Sequence, residues 1–331
     1  MHAIRILVLT LTCLALPAAI TAEPLRIVTT FTILGDFTEQ VAGPRAEVVS
    51  LVGPDGDSHG YEPTPADVRE LADADLVIVN GLNFEGWMDR LIRASGYDGE
   101  VIVATRTVHT IETDHDHGHD HDHGHDDDHG HGHDHGHGHG HDHGHDDDHR
   151  HDHGPEDPHA WASPAVAKRY VEVIRDALME KDPDHASEYA ERAEAYLEQL
   201  DELDQWIRGM LESIPAEHRR AIVGHDSFAY FGRDYGVEFF SALGISTDSE
   251  PSASEVGRLI RQLREDEVRV LFLENITDAR MVERIADDGN GVIGGTLYSD
   301  ALSHSDGPAP DYISMTRFNV ERMMQAFNKA Y

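Results

Sequence analysis

Apolar residues in this chain fall into short unbroken runs separated by stretches of helical period. Leu25 to Thr30 (LRIVTT), Glu47 to Val52 (EVVSLV), Leu76 to Asn80 (LVIVN) and Val101 to Thr105 (VIVAT) read as strands. Between them, Ile33 to Val41, the segment from Pro65 to Ala74, and Glu85 to Ser95 read as helices, the last with Trp87, Leu91 and Ile92 on one side. Strands alternating with helices predict a parallel sheet covered on both faces.

The same alternation returns in the second half. AIVG (221–224), VEFFSALG (237–244), VRVLFLEN (268–275) and GVIGG (291–295) are strand candidates. Helical patterns lie near Ser227–Tyr235, Ala253–Arg264 and Asp278–Asp287, and Ile313–Ala326 closes the chain. Between the halves, Ser163 and Pro164 supply an N-cap and a first helical position. Asp182-Pro183 then interrupts the helix. From Ala186 onwards, Tyr189, Ala193, Tyr196, Leu200, Leu203, Ile207 and Leu211 recur at three- and four-residue spacing. That spacing predicts one amphipathic helix of about eight turns, ending before Pro215. The fold class is therefore α/β, with two doubly wound lobes, 23–181 and 215–331, joined by one long helix over 182–214.

Two segments fall outside this pattern. Residues 1–22 carry a weakly positive start (His2, Arg5), an apolar run from Ile6 to Leu16 and the small residue Ala22, which predicts a cleaved export signal. The apolar run is short for a membrane span. Cys13, the only cysteine, lies inside it after Thr12 rather than a small residue, so no lipid anchor is expected; the mature chain has no thiolate to offer a metal. Residues 114–154 are almost only His, Asp and Gly and cannot bury a core, so a disordered loop is expected in the first lobe.

The formal charge is −37, of which the thirteen Asp and one Arg of 114–154 supply −12. Such a surface repels nucleic acid and anionic membranes. It also changes the reading of the histidines. Eighteen lie between His115 and His153, mostly as H-D-H-G and H-G-H, a composition that chelates Zn²⁺, Cu²⁺ or Ni²⁺ at many overlapping places. Ordering entropy opposes each such site, so weak binding of several ions is expected. A pH-sensitive spacer is the rival reading of the same residues.

Outside that segment and the export signal only His59, His109, His159, His185, His218, His225 and His304 remain. His59 follows the second strand, His159 stands at the mouth of a helix, and His225 directly follows a strand. Asp300, in G-T-L-Y-S-D-A-L-S, also follows a strand. Doubly wound folds place their sites in such loops. Three imidazoles and a carboxylate suit tetrahedral Zn²⁺, whereas Mg²⁺ or Ca²⁺ would want more oxygen. Spacing alone does not say that the four converge.

H-G-Y-E-P-T-P-A-D-V (59–68), D-P-H-A-W-A-S-P (157–164), G-H-D-S-F-A-Y-F-G-R-D-Y-G (224–236) and E-P-S-A-S-E-V (250–256) resemble, in order, the motifs of the zinc and manganese substrate-binding proteins of ABC importers, the cluster A-I solute-binding family. The resemblance covers essentially the whole mature chain. It implies two α/β lobes joined by a single rigid helix with the metal site between the lobes. It carries the ligands onto His59, His159 and His225, and the fourth onto Asp300. Manganese members usually have a carboxylate at the third position, so His225 resembles the zinc branch. Some zinc members use water, or an acidic residue just before the first histidine, as the fourth ligand; Ser58 stands there, which favours Asp300. The implied role is a periplasmic receptor that carries Zn²⁺ as cargo to an importer permease, with a periplasmic zinc chaperone as a further partner, no nucleic acid, and a monomeric state.

Glu62, Asp157, Asp226, Glu250 and Glu274 are candidates to hold the ligating imidazoles, although each taken singly reads as an exposed or capping acid. The alternatives to a transport receptor are a metal buffer, a manganese or copper receptor, and a zinc hydrolase. Against the last, H-E-x-x-H does not occur.

Overall fold

The computed structural model describes residues 23–112, 156–248, 251–265 and 268–331. The predicted export signal, the His/Asp/Gly-rich segment and Glu250 lie outside these residues.

The first sheet is built from β1 (Leu25–Phe31), β2 (Ala46–Val52), β3 (Leu76–Val79) and β4 (Val101–Val103), in the order β2-β1-β3-β4. The second is built from β5 (Arg220–Val223), β6 (Glu238–Ser241), β7 (Val270–Glu274) and β8 (Val292–Leu297), in the order β6-β5-β7-β8. Every pairing within them is parallel. The same order therefore occurs twice, and the chain reverses its winding between β1 and β3 in one lobe and between β5 and β7 in the other. The crevice at the carboxyl ends of strands flanking such a reversal is where open α/β sheets hold ligands. The inner strands carry near-continuous apolar runs because both faces are covered: Leu76, Val77 and Ile78 are fully buried, as are Val270 and Leu271.

Helices α1 (Thr32–Ala42), α2 (Pro65–Ala72), α3 (Met88–Ser95) and α4 (Pro164–Lys181) belong to the first half, and α6 (Ala229–Tyr235), α7 (Ala253–Glu265), α8 (Ala279–Gly289) and α9 (Tyr312–Ala330) to the second. Between them α5 (Ala186–Glu212) runs 27 residues, about 40 Å at 1.5 Å per residue. All seven residues of its predicted apolar stripe, Tyr189 to Leu211, are buried. It packs on α4 and α1 of the first lobe and on α6 and α9 of the second, so one helix braces both. A main core runs through both lobes, from Ile27 to Phe327. A smaller cluster, including Leu259, Leu263, Leu271 and Ile285, lies beneath α7 and α8.

Three expectations are corrected. The linking helix expected over 182–214 spans 186–212, because residues 183–185 form a separate 3₁₀ turn at the proline. The helix expected from Glu85 begins at Met88, because the Glu85 carboxylate turns back to the amides of Asn80 and Gly81. Ser163 does occupy the N-cap of α4, but its hydroxyl donates to Asp234 Oδ2 at 2.6 Å rather than capping the helix.

Candidate metal centre

His59 sits in the loop between β2 and α2, and its backbone N–H donates to Asp57 Oδ1 at 2.9 Å. His159 precedes the 3₁₀ turn Ala160–Ala162 that leads into α4. His225 follows β5 by two residues, at the reversal point of the second sheet, and Asp300 lies beyond the end of β8. Each lobe thus presents two of the four predicted residues at the carboxyl edge of its sheet.

The four converge. His59 Nε2 lies 3.2 Å from His159 Nε2. Asp300 Oδ2 lies 3.1 Å from His225 Nε2, 3.3 Å from His59 Nε2 and 3.8 Å from His159 Nε2. Donors at the corners of a tetrahedron about 2.0–2.1 Å from a central ion are about 3.3–3.4 Å apart. Three of the observed separations, 3.1–3.3 Å, are close to that size, and the His159–Asp300 separation of 3.8 Å is longer. His159, His225 and Asp300 are fully buried and His59 is 7% exposed. Asp300 Oδ1 is buried without a hydrogen-bond partner, and a buried carboxylate oxygen left so is costly unless a cation meets it. The arrangement fits a divalent cation at this point.

Two imidazoles are fixed from behind by carboxylates. Asp157 Oδ1 accepts from the His159 backbone N–H at 2.9 Å and lies 2.8 Å from His159 Nδ1. Glu274 Oε1 accepts from the His225 backbone N–H at 2.9 Å, and Oε2 lies 2.5 Å from His225 Nδ1. With the proton held on Nδ1, the Nε2 lone pair faces the centre. Asp157 and Glu274 are therefore not the exposed or capping acids that each alone suggests. Glu62 is exposed, as that reading has it, and Asp226 is half-buried beside the site.

Burial pushes His59 below the usual imidazole range. Burial acts on His225 in the same direction, but the charges of Glu274 and Asp300 override it and hold His225 well above that range. Burial would raise Asp300; His225 and His159 hold it far below the usual carboxylate range instead. In the metal-free protein the proton on His225 thus occupies the role that a cation would take, between two buried carboxylates.

The other predicted histidines take no part. His185 Nδ1 pairs with Asp182 at 2.8 Å, the His218 ring stacks on Tyr331 at 4.2 Å, and His109 and His304 are exposed. Sequence reasoning missed the aromatic wall. The Phe84 ring stands edge-on to His59 at 4.7 Å and to His159 at 5.8 Å, and Trp161 packs against both Phe84 and His159. The signal for it was N-G-L-N-F-E-G-W directly after β3, a turn-rich stretch carrying two large aromatics and an acid.

Two parallel-sheet lobes, a bracing helix and a buried His₃Asp cluster between them define a metal-binding substrate-binding protein. The sequence profile described as zinc-uptake complex component A, periplasmic (ZnuA), matches residues 27–326. The chain belongs to this family, whose members are substrate-binding proteins of ABC importers and not enzymes, with a metal ion as their cargo. It is 30% identical over 307 residues to the manganese-binding lipoprotein MntA of Halalkalibacterium halodurans, covering 93% of this chain and 90% of that protein. It is 30% identical over 310 residues to the iron-binding protein YfeA of Yersinia pestis, covering 93% and 88%. Among solved structures, the periplasmic zinc-binding protein TroA of Treponema pallidum superimposes with a TM-score of 0.77 at 26% identity, over 92% of this chain and 99% of that one. Among the described residues no helix is long and apolar enough to cross a membrane.

Proposed function

We propose that this chain is the zinc receptor of an ABC importer, exported to the periplasm, and that His59, His159, His225 and Asp300 are the four ligands of the transported ion. The relatives carry names for manganese, iron and zinc, so the donor set has to decide. The observation that carries the reading is the convergence of three imidazole Nε2 atoms on one buried carboxylate oxygen, at 3.1–3.8 Å. Mn²⁺ favours carboxylate, carbonyl and water oxygens, whereas three imidazoles and one carboxylate suit Zn²⁺. The His/Asp/Gly-rich segment 114–154 gathers further Zn²⁺ weakly and raises its local supply, a reading drawn from its composition. The loaded protein then docks on the membrane permease, and a periplasmic zinc chaperone is a further partner.

Competitive titration of the protein with Zn²⁺, Mn²⁺ and Fe²⁺, with and without residues 115–153, tests this. One Zn²⁺ should bind tightly in both forms and resist a large excess of Mn²⁺, with the additional weak ions lost on deletion. Displacement of Zn²⁺ by equimolar Mn²⁺, or loss of tight binding with the segment, would overturn it.

A further inference from the structure

The first lobe holds a buried carboxylate that touches none of the four converging residues. Glu85 is 8% exposed and lies at the reversal point of the first sheet. Its Oε1 accepts from Thr30 Oγ1, at the end of β1, and from the Asn80 backbone N–H, just past β3, both at 2.6 Å. Its Oε2 accepts from the Gly81 backbone N–H at 3.2 Å. One carboxylate thus ties together the ends of the two strands between which the winding reverses. The second lobe has a counterpart in Glu274 at the end of β7, which reaches His225 directly.

What Glu85 closes is an unusual loop. Gly81, Leu82 and Asn83 have φ of 89°, 55° and 59°, three successive left-handed residues of which two carry a Cβ. Such a run persists only where surrounding contacts over-determine it. The loop delivers Phe84 against His59 and His159. Asn80, just before it, reaches the residue that precedes His159. Asn80 Nδ2 donates to the Pro158 carbonyl at 3.0 Å, next to His159, while Asn80 Oδ1 accepts from Tyr170 Oη at 2.8 Å.

We propose that Glu85 is a positioning residue for the first-lobe half of the metal site: by clamping residues 80–84 it sets the Phe84 wall and the Asn80–Pro158 tie that hold His59 and His159 in place. The inference rests on the reading that those histidines ligate the ion. A carboxylate is required because two backbone N–H groups and a hydroxyl all donate to it. A glutamine in its place could accept at one oxygen only and would present an N–H₂ to the Gly81 amide.

The test compares Glu85→Gln, Phe84→Leu, Asp36→Asn and His225→Ala in the full chain. Affinity for the tightest Zn²⁺ is read by competition with a chromophoric chelator, and ligand geometry from the visible absorption of one equivalent of Co²⁺. Asp36 is an equally buried first-lobe carboxylate that accepts from the Tyr312 amide, Gln40 and Tyr196 and bonds none of the four converging residues nor residues 80–84, so its variant reports general loosening. Glu85→Gln and Phe84→Leu should each weaken Zn²⁺ about 10- to 100-fold and alter the Co²⁺ bands, and Asp36→Asn should do neither. If Glu85→Gln does not fold, Phe84→Leu decides. Unchanged affinity and bands in the folded variants, or equal losses in Asp36→Asn, would overturn the inference. His225→Ala separates the two levels. If it abolishes tight binding while Glu85→Gln and Phe84→Leu do nothing, the positioning role alone fails. If it leaves tight binding intact, the site reading fails and the inference with it.

Discussion

His225 Nε2 lies 3.1 Å from Asp300 Oδ2 with both side chains fully buried, and His59, from the other lobe, approaches the same oxygen at 3.3 Å. A single carboxylate oxygen is thus the meeting point of two lobes whose strands are otherwise separate sheets. An ion held there joins the lobes, and without it the charges of Asp300 and Glu274 favour the protonated form of His225.

That proton gives a pH dependence with a definite sign. His225 is raised in the folded protein above its ordinary 6.5, so it stabilises the metal-free form fully below pH 6.5, and this contribution is lost as pH rises through the raised value. Asp300 is depressed, and its contribution runs the other way, present above the ordinary carboxylate range and lost on acidification. Since Zn²⁺ must displace the His225 proton, binding at pH 7 should release about one proton per ion, and affinity should fall as pH drops. Calorimetry in buffers of different ionisation enthalpy measures the release directly; no release would contradict the protonation assigned to His225.

His225→Ala should lower affinity for the tight Zn²⁺ by more than about 100-fold, since it removes a ligand and leaves Asp300 and Glu274 facing each other uncompensated. In the metal-free protein, loss of one partner from such a buried pair costs about 3–5 kcal/mol. His218→Ala, which removes only a stacking contact with Tyr331, should leave affinity unchanged. Parallel chelator competition and thermal unfolding distinguish the two, and equal effects on affinity would sink the ligand assignment.

Glu274→Gln should weaken Zn²⁺ about 10- to 100-fold in a protein that still folds, because the amide removes the charge behind His225 Nδ1 while leaving an oxygen for the His225 backbone N–H. The proton released on binding at pH 7 should shrink in this variant, as His225 loses one of its two raising charges. A loss of affinity with undiminished proton release would mean that Glu274 acts by shape alone.

Asp57 links the lobes beside the site. Its Oδ1 accepts from the His59 backbone N–H, and its Oδ2 accepts from Thr247 Oγ1 of the second lobe at 2.7 Å. Thr247→Val removes the cross-lobe bond and keeps the shape. Release of Zn²⁺ to an excess of chelator should become about tenfold faster, matching the worth of a hydrogen bond to a charged group. Stopped-flow dissociation reads this, and an unchanged rate would mean that the contact does not govern opening.

Much of this was legible in the sequence because it is local. The stripe from Tyr189 to Leu211 has one period and one partner surface, so spacing sufficed to predict α5. The four converging residues were legible one by one as polar groups in loops after strands or before helices. Their meeting was not legible from spacing and was implied only by the family resemblance, since residues 59, 159, 225 and 300 are brought together by two sheets closing on each other. Asp157 and Glu274 look like any other acids in sequence, and only the tertiary fold turns them onto imidazoles. Glu85 defeated periodicity outright: Trp87, Leu91 and Ile92 continue a helical face back to it, but its carboxylate satisfies the amides of Asn80 and Gly81, and the helix starts three residues later.

The most direct test of the central claim is zinc X-ray absorption on protein carrying one equivalent of Zn²⁺ and lacking residues 115–153, so that the histidine-rich segment contributes nothing. Three histidine nitrogens and one carboxylate oxygen should surround the ion at about 2.0–2.1 Å in a four-coordinate shell, with one imidazole lost in His225→Ala. A six-coordinate, oxygen-dominated shell, or a spectrum unaltered by His225→Ala, would contradict it.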